Sequence, residues 1–138
     1  MNVKNFEIKG IEFKAGKINS FRQFHVVRRL GPILKDLLKV AQKNSKKSES
    51  QLSDDEKLES IYPIMDGISK LSDADSEKVL LSLLAGVEMK QQTGNWARLV
   101  VDDRLMFDNL ELPILLRAAG ESFMFNLSGF FDALPQNT

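Results

Sequence analysis

The sequence predicts a mainly α-helical protein with a small antiparallel β element, an α+β fold in which an N-terminal β-hairpin is followed by a helical bundle. Two observations lead to this prediction. Residues 5–18, NFEIKGIEFKAGKI, alternate apolar and charged side chains, as expected of a half-buried hairpin. Much of the remaining chain carries apolar residues at steps of three and four, the spacing of amphipathic helices.

We expect a single domain over residues 1–138, because this length is usual for one domain and no internal repeat is present. Within it, 1–43 is predicted to be a hairpin and a basic, kinked helix. Residues 44–53, rich in serine and lysine, are predicted to be a polar flexible linker. Residues 54–138 are predicted to be an acidic helical part, with a candidate second hairpin at 96–107.

The composition is that of an ordinary soluble globular protein, with 43% hydrophobic and 28% charged residues. No apolar run approaches the roughly 18 residues of a membrane span, and the N-terminus lacks the apolar stretch of a signal peptide. The chain has no cysteine, which excludes disulfides and thiolate metal sites. These features favour a cytoplasmic protein that does not enter the membrane.

Both hairpins are predicted from their turns as well as from their alternation. Lys9-Gly10 stands at the two central positions of a tight turn between apolar runs. The candidate second hairpin, WARLVVDDRLMF, has Asp102-Asp103 at its turn. Aspartate adopts left-handed conformations less readily than glycine, and an irregular connection is the alternative.

The first helix is predicted to begin at an N-cap provided by Asn19 or Ser20. Gly31-Pro32 should kink or break it, because proline donates no backbone hydrogen bond and clashes with the preceding turn. Its apolar stripe is expected to cover the core on both sides of the break: Phe21, Phe24, Val27, Leu30, Leu34, Leu37 or Leu38, and Ala41. A second stripe is basic: Arg28, Lys35, Lys39, Lys43 and Lys46.

Three further helices are predicted. Ser53 to Glu56 fits a capping box that starts one of them. The acidic segment SDADSE suits the positive end of the next helix, whose apolar positions continue through Val87 until QQTGN ends it. The last helix, ELPILLRAAGESFMFNLSGFFDAL, accepts Pro113 in its first turn. Phe125 lies on its Glu121 side, away from the main apolar stripe.

The net charge is zero, yet the two parts of the chain differ strongly in charge. Residues 1–48 contain 12 Lys and Arg against 3 Asp and Glu, a net charge of +9. Residues 49–138 contain 7 against 16, a net charge of −9. Such asymmetry indicates either a basic surface for an anionic partner or two parts that face each other within a chain or an oligomer.

No catalytic or metal-binding constellation is predicted. His25 has no accompanying nucleophile motif or second histidine, so a surface or packing role is favoured. The acids that follow Asp73 lack the glycine and glutamate of a calcium loop and suit a helix start instead. Asp102-Asp103 suits a turn better than an acid–base pair, because neighbouring side chains on a turn point in different directions.

Two kinds of macromolecular binding remain. The basic helix over 22–47 is compatible with nucleic acid, but it has no interleaved aromatic residues and the pI of the chain is about 6.6, so nucleic-acid binding is disfavoured. The last helix is apolar around much of its circumference, so it is either central to the core or covered by a partner. Oligomerisation would agree with both interpretations of this last helix.

Two segments resemble the phage tail assembly chaperone family. FHVVRRLGPIL is similar to a helix with a basic pair that runs into an apolar-Pro-apolar turn. WARLVVDDRLMFDNLELPILLRAAGESFMFNLSGFF is similar to the C-terminal part of these proteins, in which a strand-like segment leads to a helix that ends near a phenylalanine pair. The hairpin before the first helix is also similar. The chain departs from many relatives at Asp102-Asp103, where glycine is expected.

The resemblance implies a protein of a tailed phage or prophage that acts in the host cytoplasm, is absent from the mature virion and uses no cofactor. Its implied partners are the tape measure protein, the tail tube protein and a frameshifted long form of the chain itself, and a homo-oligomer is expected. The apolar faces of the first and last helices would then supply the client-binding or self-association surface, and basic residues would meet acidic segments of the client or of a neighbouring subunit. The expected partner-binding residues are Phe24, Arg28, Arg29, Leu34, Lys35, Lys39, Phe123, Phe125, Phe130 and Phe131.

Overall fold

A computed structural model of the chain describes residues 3–31, 62 and 65–133. Its larger sheet has four antiparallel strands in the order β1-β2-β3-β4. These strands are β1 (Val3–Ile8), β2 (Ile11–Gly16), β3 (Val87–Lys90) and β4 (Trp96–Arg98). A separate two-stranded ribbon joins β5 (Val100–Val101) to β6 (Arg104–Leu105).

Four helices accompany the strands in the described part of the chain. Helix α1 is helical over 20–31 and α2 over 65–69. Helix α3 is Asp73–Leu84, and α4 is the 22-residue helix Leu112–Ala133. No helix among the described residues is long and apolar enough to cross a membrane. The architecture is α+β with an N-terminal hairpin, which confirms the predicted fold class.

Both tight turns lie at the predicted residues. Ile8 pairs with Ile11, so Lys9 and Gly10 are the two turn residues, with φ of 50° and 81°. Asp102 and Asp103 likewise connect β5 to β6, with φ of 54° and 59°. Positive φ at both central positions belongs to the type I′ turn, whose twist matches that of the strands it joins.

The sheet has one face on the core and one face towards solvent. Phe6 stacks on Phe13 across the hairpin, with ring centroids 5.4 Å apart, and Phe13 is fully buried. The opposite face carries ion pairs between neighbouring strands, such as Lys14 Nζ to Glu88 Oε2 at 3.5 Å. This division follows from the strand period of two, which sends alternate side chains to opposite faces.

The second strand pair of the sheet was not foreseen. Helix α3 ends at Leu84 and not beyond Val87, because residues 87–90 form β3 and pair with β2 and β4. The predicted second hairpin also differs in detail. Residues 96–98 pair with β3, and the two-stranded ribbon begins only at Val100. The N-terminal hairpin is therefore half of a four-stranded sheet, and the helices cover one face of that sheet.

Helix α4 lies at the centre of the core. Buried residues occur around most of its circumference, and it contacts α3 and the first three strands. The apolar core comprises Ile8, Phe13, Ala15, Ile18, Val26, Leu30, Ile68, Val79, Leu83, Leu84, Val87, Leu99, Val100, Ile114, Ala118, Ala119, Phe123 and Leu127. Of the two interpretations of this helix, burial within the domain is therefore the one observed.

Several predicted elements lie outside the described residues. They are the kink at Pro32, the basic positions from Lys35 to Lys46, the linker over 44–53 and the capping box from Ser53 to Glu56. The division of 1–138 into three parts therefore stays a prediction.

A buried amide connects α4 to the segment that leaves the sheet. Asn126 is 1% exposed, and its Oδ1 accepts the backbone N–H of Ile18 at 2.8 Å. Its Nδ2 donates to Gly16 O at 3.2 Å and to Ser122 O at 3.0 Å. One turn earlier, Ser122 Oγ donates to Leu83 O near the end of α3, at 2.7 Å. The backbone N–H of Ile18 and the carbonyl of Gly16, at the end of β2, are thus paired by a side chain of α4.

We expect Asn126→Ala to lower the free energy of unfolding by about 1–3 kcal/mol, because it leaves the buried N–H of Ile18 and the partly buried carbonyl of Gly16 without this partner. Chemical unfolding by urea would measure the change. Asn109→Ala is the matched control, since Asn109 is exposed in a turn and should change stability by less than about 0.5 kcal/mol. Equal losses in the two variants would contradict the role given to Asn126.

Candidate partner-binding face of the first helix

The side of helix α1 that packs on the core is not the side predicted from the spacing of its apolar residues. It begins after Asn19, whose Oδ1 accepts the backbone N–H of Arg22 at 2.9 Å, as an N-cap does. Val26 and Leu30, four residues apart, are fully buried. The prediction that Phe21 and Phe24 cover the core is therefore wrong, because they lie on the opposite side of the helix.

Phe21, Phe24 and Arg28 together form what we call the α1 outer face. Their spacing of three and four residues places them side by side on the helix. Phe21 is 79% exposed and Phe24 is 58% exposed, and Arg28 is also exposed. Two neighbouring exposed phenylalanines form an unusual surface for a small domain, since such rings are normally buried.

Ion pairs hold the cations that flank this face. Arg22 Nη1 donates to Asp103 Oδ1 at 3.0 Å, which connects α1 to the turn of the ribbon. Arg29 Nε donates to Asp75 Oδ1 at 3.1 Å, which connects α1 to the first turn of α3. The hydrogen bond from Arg22 is the main cause that lowers the pKa of Asp103. The direction in which the α1 outer face points is thus fixed from both sides.

His25 lies between the α1 outer face and these ion pairs. Its Nδ1 is 3.4 Å from Arg29 Nη1, which donates to it when the ring proton is on Nε2. Desolvation is the largest cause that lowers its pKa, and the positive charges of Lys78, Arg29, Arg28 and Arg22 lower it further. The fold therefore favours the neutral imidazole, in keeping with the packing role expected from the sequence.

This pKa shift predicts a pH dependence of stability. Because the folded pKa of His25 is below its ordinary value of 6.5, the unfolded chain takes up the proton first as the pH falls. The free energy of unfolding should fall below about pH 6.5 and be independent of this group above it. Urea unfolding between pH 8 and pH 5 should show a smaller decline for His25→Gln than for the natural chain.

Because the series stops at pH 5, the protonation of Asp103 does not contribute to the change measured for His25. The pKa of Asp103 is lowered from 3.8, so its ion pair stabilises the fold above that pH and is lost only as the pH falls further. An identical decline in His25→Gln and in the natural chain would show that other groups cause the loss.

The remaining predicted partner-binding residues lie in several places. Arg29 is half-buried in its ion pair, and Phe123 is buried in the core with 2% exposed. Phe125 is half-buried and packs against the core, with Lys17 Nζ 5.8 Å from its ring centroid. Leu34, Lys35 and Lys39 are outside the described residues, and the side chains of Phe130 and Phe131 are as well. Only Phe24 and Arg28 are brought together on an exposed surface by the described structure.

Phe125 differs from expectation for a physical reason. It lies on the Glu121 side of α4, away from the main apolar stripe, yet Glu121 is buried and its Oε2 lies 2.7 Å from Lys4 Nζ of β1. The sheet covers that side of the helix, so Phe125 packs inward as well. A buried glutamate is rare without a cationic partner, and Lys4 provides one.

The acidic clusters have the structural roles that were favoured. Ser72 Oγ accepts the backbone N–H of Asp75 at 3.1 Å and caps α3, with Asp73 and Asp75 in the first turn. Asp102 and Asp103 form the turn of the ribbon. Within the described ranges, no group of three or more histidine, cysteine or acidic side chains is placed to hold a metal ion.

The fold and the α1 outer face define a class of protein: a small α+β domain whose most distinctive described surface is aromatic and basic. Comparison with family models gives the particular family. The model described as phage tail assembly chaperone protein, TAC, matches residues 9–138, so the chain belongs to the phage tail assembly chaperone family. No curated protein and no solved structure matched the chain.

Proposed function

We propose that this chain is a non-catalytic chaperone that binds the phage tape measure protein, keeps it soluble and assists assembly of the tail tube. The observation that carries the proposal is the α1 outer face, on a chain that belongs to a tail assembly chaperone family. A chaperone of this kind interacts with phage tail proteins, and the family suggests a non-enzymatic role.

The two phenylalanines supply the binding energy in this proposal. Each ring offers a large apolar area with little conformational entropy to lose, and phenylalanine is enriched in interfaces. Burial of one such side chain contributes roughly 1.5–3 kcal/mol. Two rings beside an arginine therefore suffice for a hot spot against an apolar segment of a client.

The basic residues supply orientation. Arg28 is exposed and makes no ion pair within the described part of the chain, so it is available for an acidic residue of the client. Lys35 and Lys39 would extend this contact, and Leu34, Phe130 and Phe131 would extend the apolar contact. Charges at the rim of an interface mainly raise the association rate.

The same proposal includes the setting and the other partners. The chain would act in the host cytoplasm and leave before the virion is complete. It would also contact the tail tube protein and a frameshifted long form that shares its N-terminal part. Self-association into a homo-oligomer is also part of this proposal.

The alternative is a small regulator that binds nucleic acid through the basic 22–47 helix. The four cations that surround His25 favour it. However, Arg22 is paired with Asp103 and Arg29 with Asp75, which neutralises two of the four. Exposed phenylalanines beside a single free arginine suit an apolar protein surface better than a phosphate backbone.

The test is co-expression of the tagged chain with the tape measure protein of the same phage. The chain should raise the amount of client in the soluble fraction and should retain it at both low and high salt, because apolar burial is not weakened by salt. Nucleic-acid binding would instead fall steeply as salt rises. Client that stays insoluble, with nucleic acid that salt removes, would establish the alternative.

We expect Phe21→Ala/Phe24→Ala to reduce client retention about tenfold or more, because two aromatic anchors are lost. The thermal midpoint should stay nearly unchanged, since both rings are outside the core. The matched control is Met106→Ala/Leu112→Ala, which removes two other exposed apolar side chains. Equal losses from both pairs would mean that general apolarity, and not the α1 outer face, holds the client.

A further inference from the structure

A second surface, distinct from the α1 outer face, is a cleft of about 510 Å³ at the end of β2. Its walls come from the solvent face of the sheet, from the first turn of α1 and from the ribbon. We propose that this cleft binds a short acidic peptide segment, which places carboxylates at Arg98 and Lys17 and an apolar side chain against the valines.

Gly86 lines the floor of the cleft at a position where no side chain fits. A Cβ on Gly86 would lie 2.7 Å from Ile18 Cγ2 and 2.8 Å from Gly16 O, distances too short for any side chain. Ile18 therefore packs directly on Gly86, and Gly16 N donates to Gly86 O at 2.7 Å. The apolar part of the lining consists of Val3, Val100 and Val101 beside this floor.

The lining carries four cations and two acids. Lys14 is paired with Glu88 at 3.5 Å and lies over the Trp96 ring, and Arg22 is paired with Asp103. Among the described residues, neither Arg98 nor Lys17 has a carboxylate within ion-pair distance. They reach the cleft from different elements, Arg98 from β4 and Lys17 from the segment after β2. The Lys17 ammonium lies 5.8 Å from the Phe125 ring centroid and would turn from that ring towards a carboxylate, so Arg98 and Lys17 together suit two carboxylates of one ligand.

The chemistry favours a peptide over a polyphosphate. Arginine binds a carboxylate through two parallel hydrogen bonds, and Arg98 in the lining can do so. The volume lies within the roughly 300–1,000 Å³ of ligand pockets, which suffices for a few residues. The valines give an apolar side chain a place that a sugar–phosphate backbone would not use.

The cleft adjoins the α1 outer face, since Asn19 and Arg22 belong to the start of α1 and line the cleft. One partner that contacts both surfaces would bind more tightly than through either alone. That the peptide belongs to the tail client rests on the proposed function, whereas the binding of an acidic peptide does not.

The test is a nuclear magnetic resonance titration of the full, isotope-labelled chain with three probes. They are an acetylated and amidated pentapeptide Asp-Leu-Glu-Leu-Asp, its neutral counterpart Asn-Leu-Gln-Leu-Asn, and a thymidine hexanucleotide. The acidic peptide should shift the backbone amides of Gly16, Lys17, Gly86 and Arg98, and the neutral peptide should not. Arg98→Glu and Lys17→Gln should each weaken binding about tenfold or more.

The matched control is Arg104→Glu, which reverses an exposed charge outside the cleft and should leave binding within about twofold. The proposal is overturned if no probe binds, if Arg98→Glu and Arg104→Glu weaken binding equally, or if the hexanucleotide binds more tightly than the peptide. None of these results bears on the co-expression experiment, so failure of the cleft and failure of the proposed function are distinguishable.

Discussion

The amide of Asn126 is the interaction on which the arrangement of this domain depends. The chain leaves β2 at Gly16 and enters α1 only a few residues later, and between them Ile18 is buried in a segment that belongs to neither a strand nor a helix. Asn126 supplies an acceptor for Ile18 N–H and a donor for Gly16 O. Its Oδ1 also lies 3.5 Å from Gln23 Nε2 on α1 itself. Asn126 thus holds the segment that leads into α1, while the Asn19 cap and the ion pairs of Arg22 and Arg29 position the helix itself.

A second constraint acts at the same place from the other side of the sheet. Gly86 connects α3 to β3, and its carbonyl accepts from Gly16 where β2 ends. Because Gly86 has no side chain, Ile18 can pack directly against it, and both residues line the basic cleft. The contact that closes the sheet therefore also shapes a surface beside α1, so the core and the two candidate binding surfaces are not independent features.

The sequence predicted those elements whose signal is local. The tight turns at Lys9-Gly10 and Asp102-Asp103, and the cap at Asn19, each follow from two or three neighbouring residues. In these places the residue types favour the local backbone conformation strongly enough to be read without the tertiary fold.

The errors lie where two local patterns compete. The apolar run that ends at Val87 suits a helix or a buried strand, and pairing with β2, more than seventy residues earlier, decides for the strand. In α1 the helical spacing fits two alternative apolar stripes. One is Phe21, Phe24, Val27 and Leu30, and the other is Val26 and Leu30. Which stripe is buried depends on contacts between this segment and the rest of the domain, such as the hydrogen bond of Asn126 to Ile18, and these are tertiary contacts. The polar pair Ser122 and Asn126, four residues apart in an apolar helix, was the available signal.

An exposed aromatic face creates a problem that the surrounding charges address. The net charge of the chain is zero, and a chain without net charge has little long-range repulsion to oppose association. Around the α1 outer face, however, Arg22, Arg28, Arg29 and Lys78 are close enough to lower the pKa of His25. Asp103 and Asp75 pair with Arg22 and Arg29, so Arg28 and Lys78 are the cations that two identical faces would bring together without a paired carboxylate in the described part of the chain. Their charge opposes close pairing of this face with itself and leaves the face open to a partner of opposite charge, such as the client proposed above.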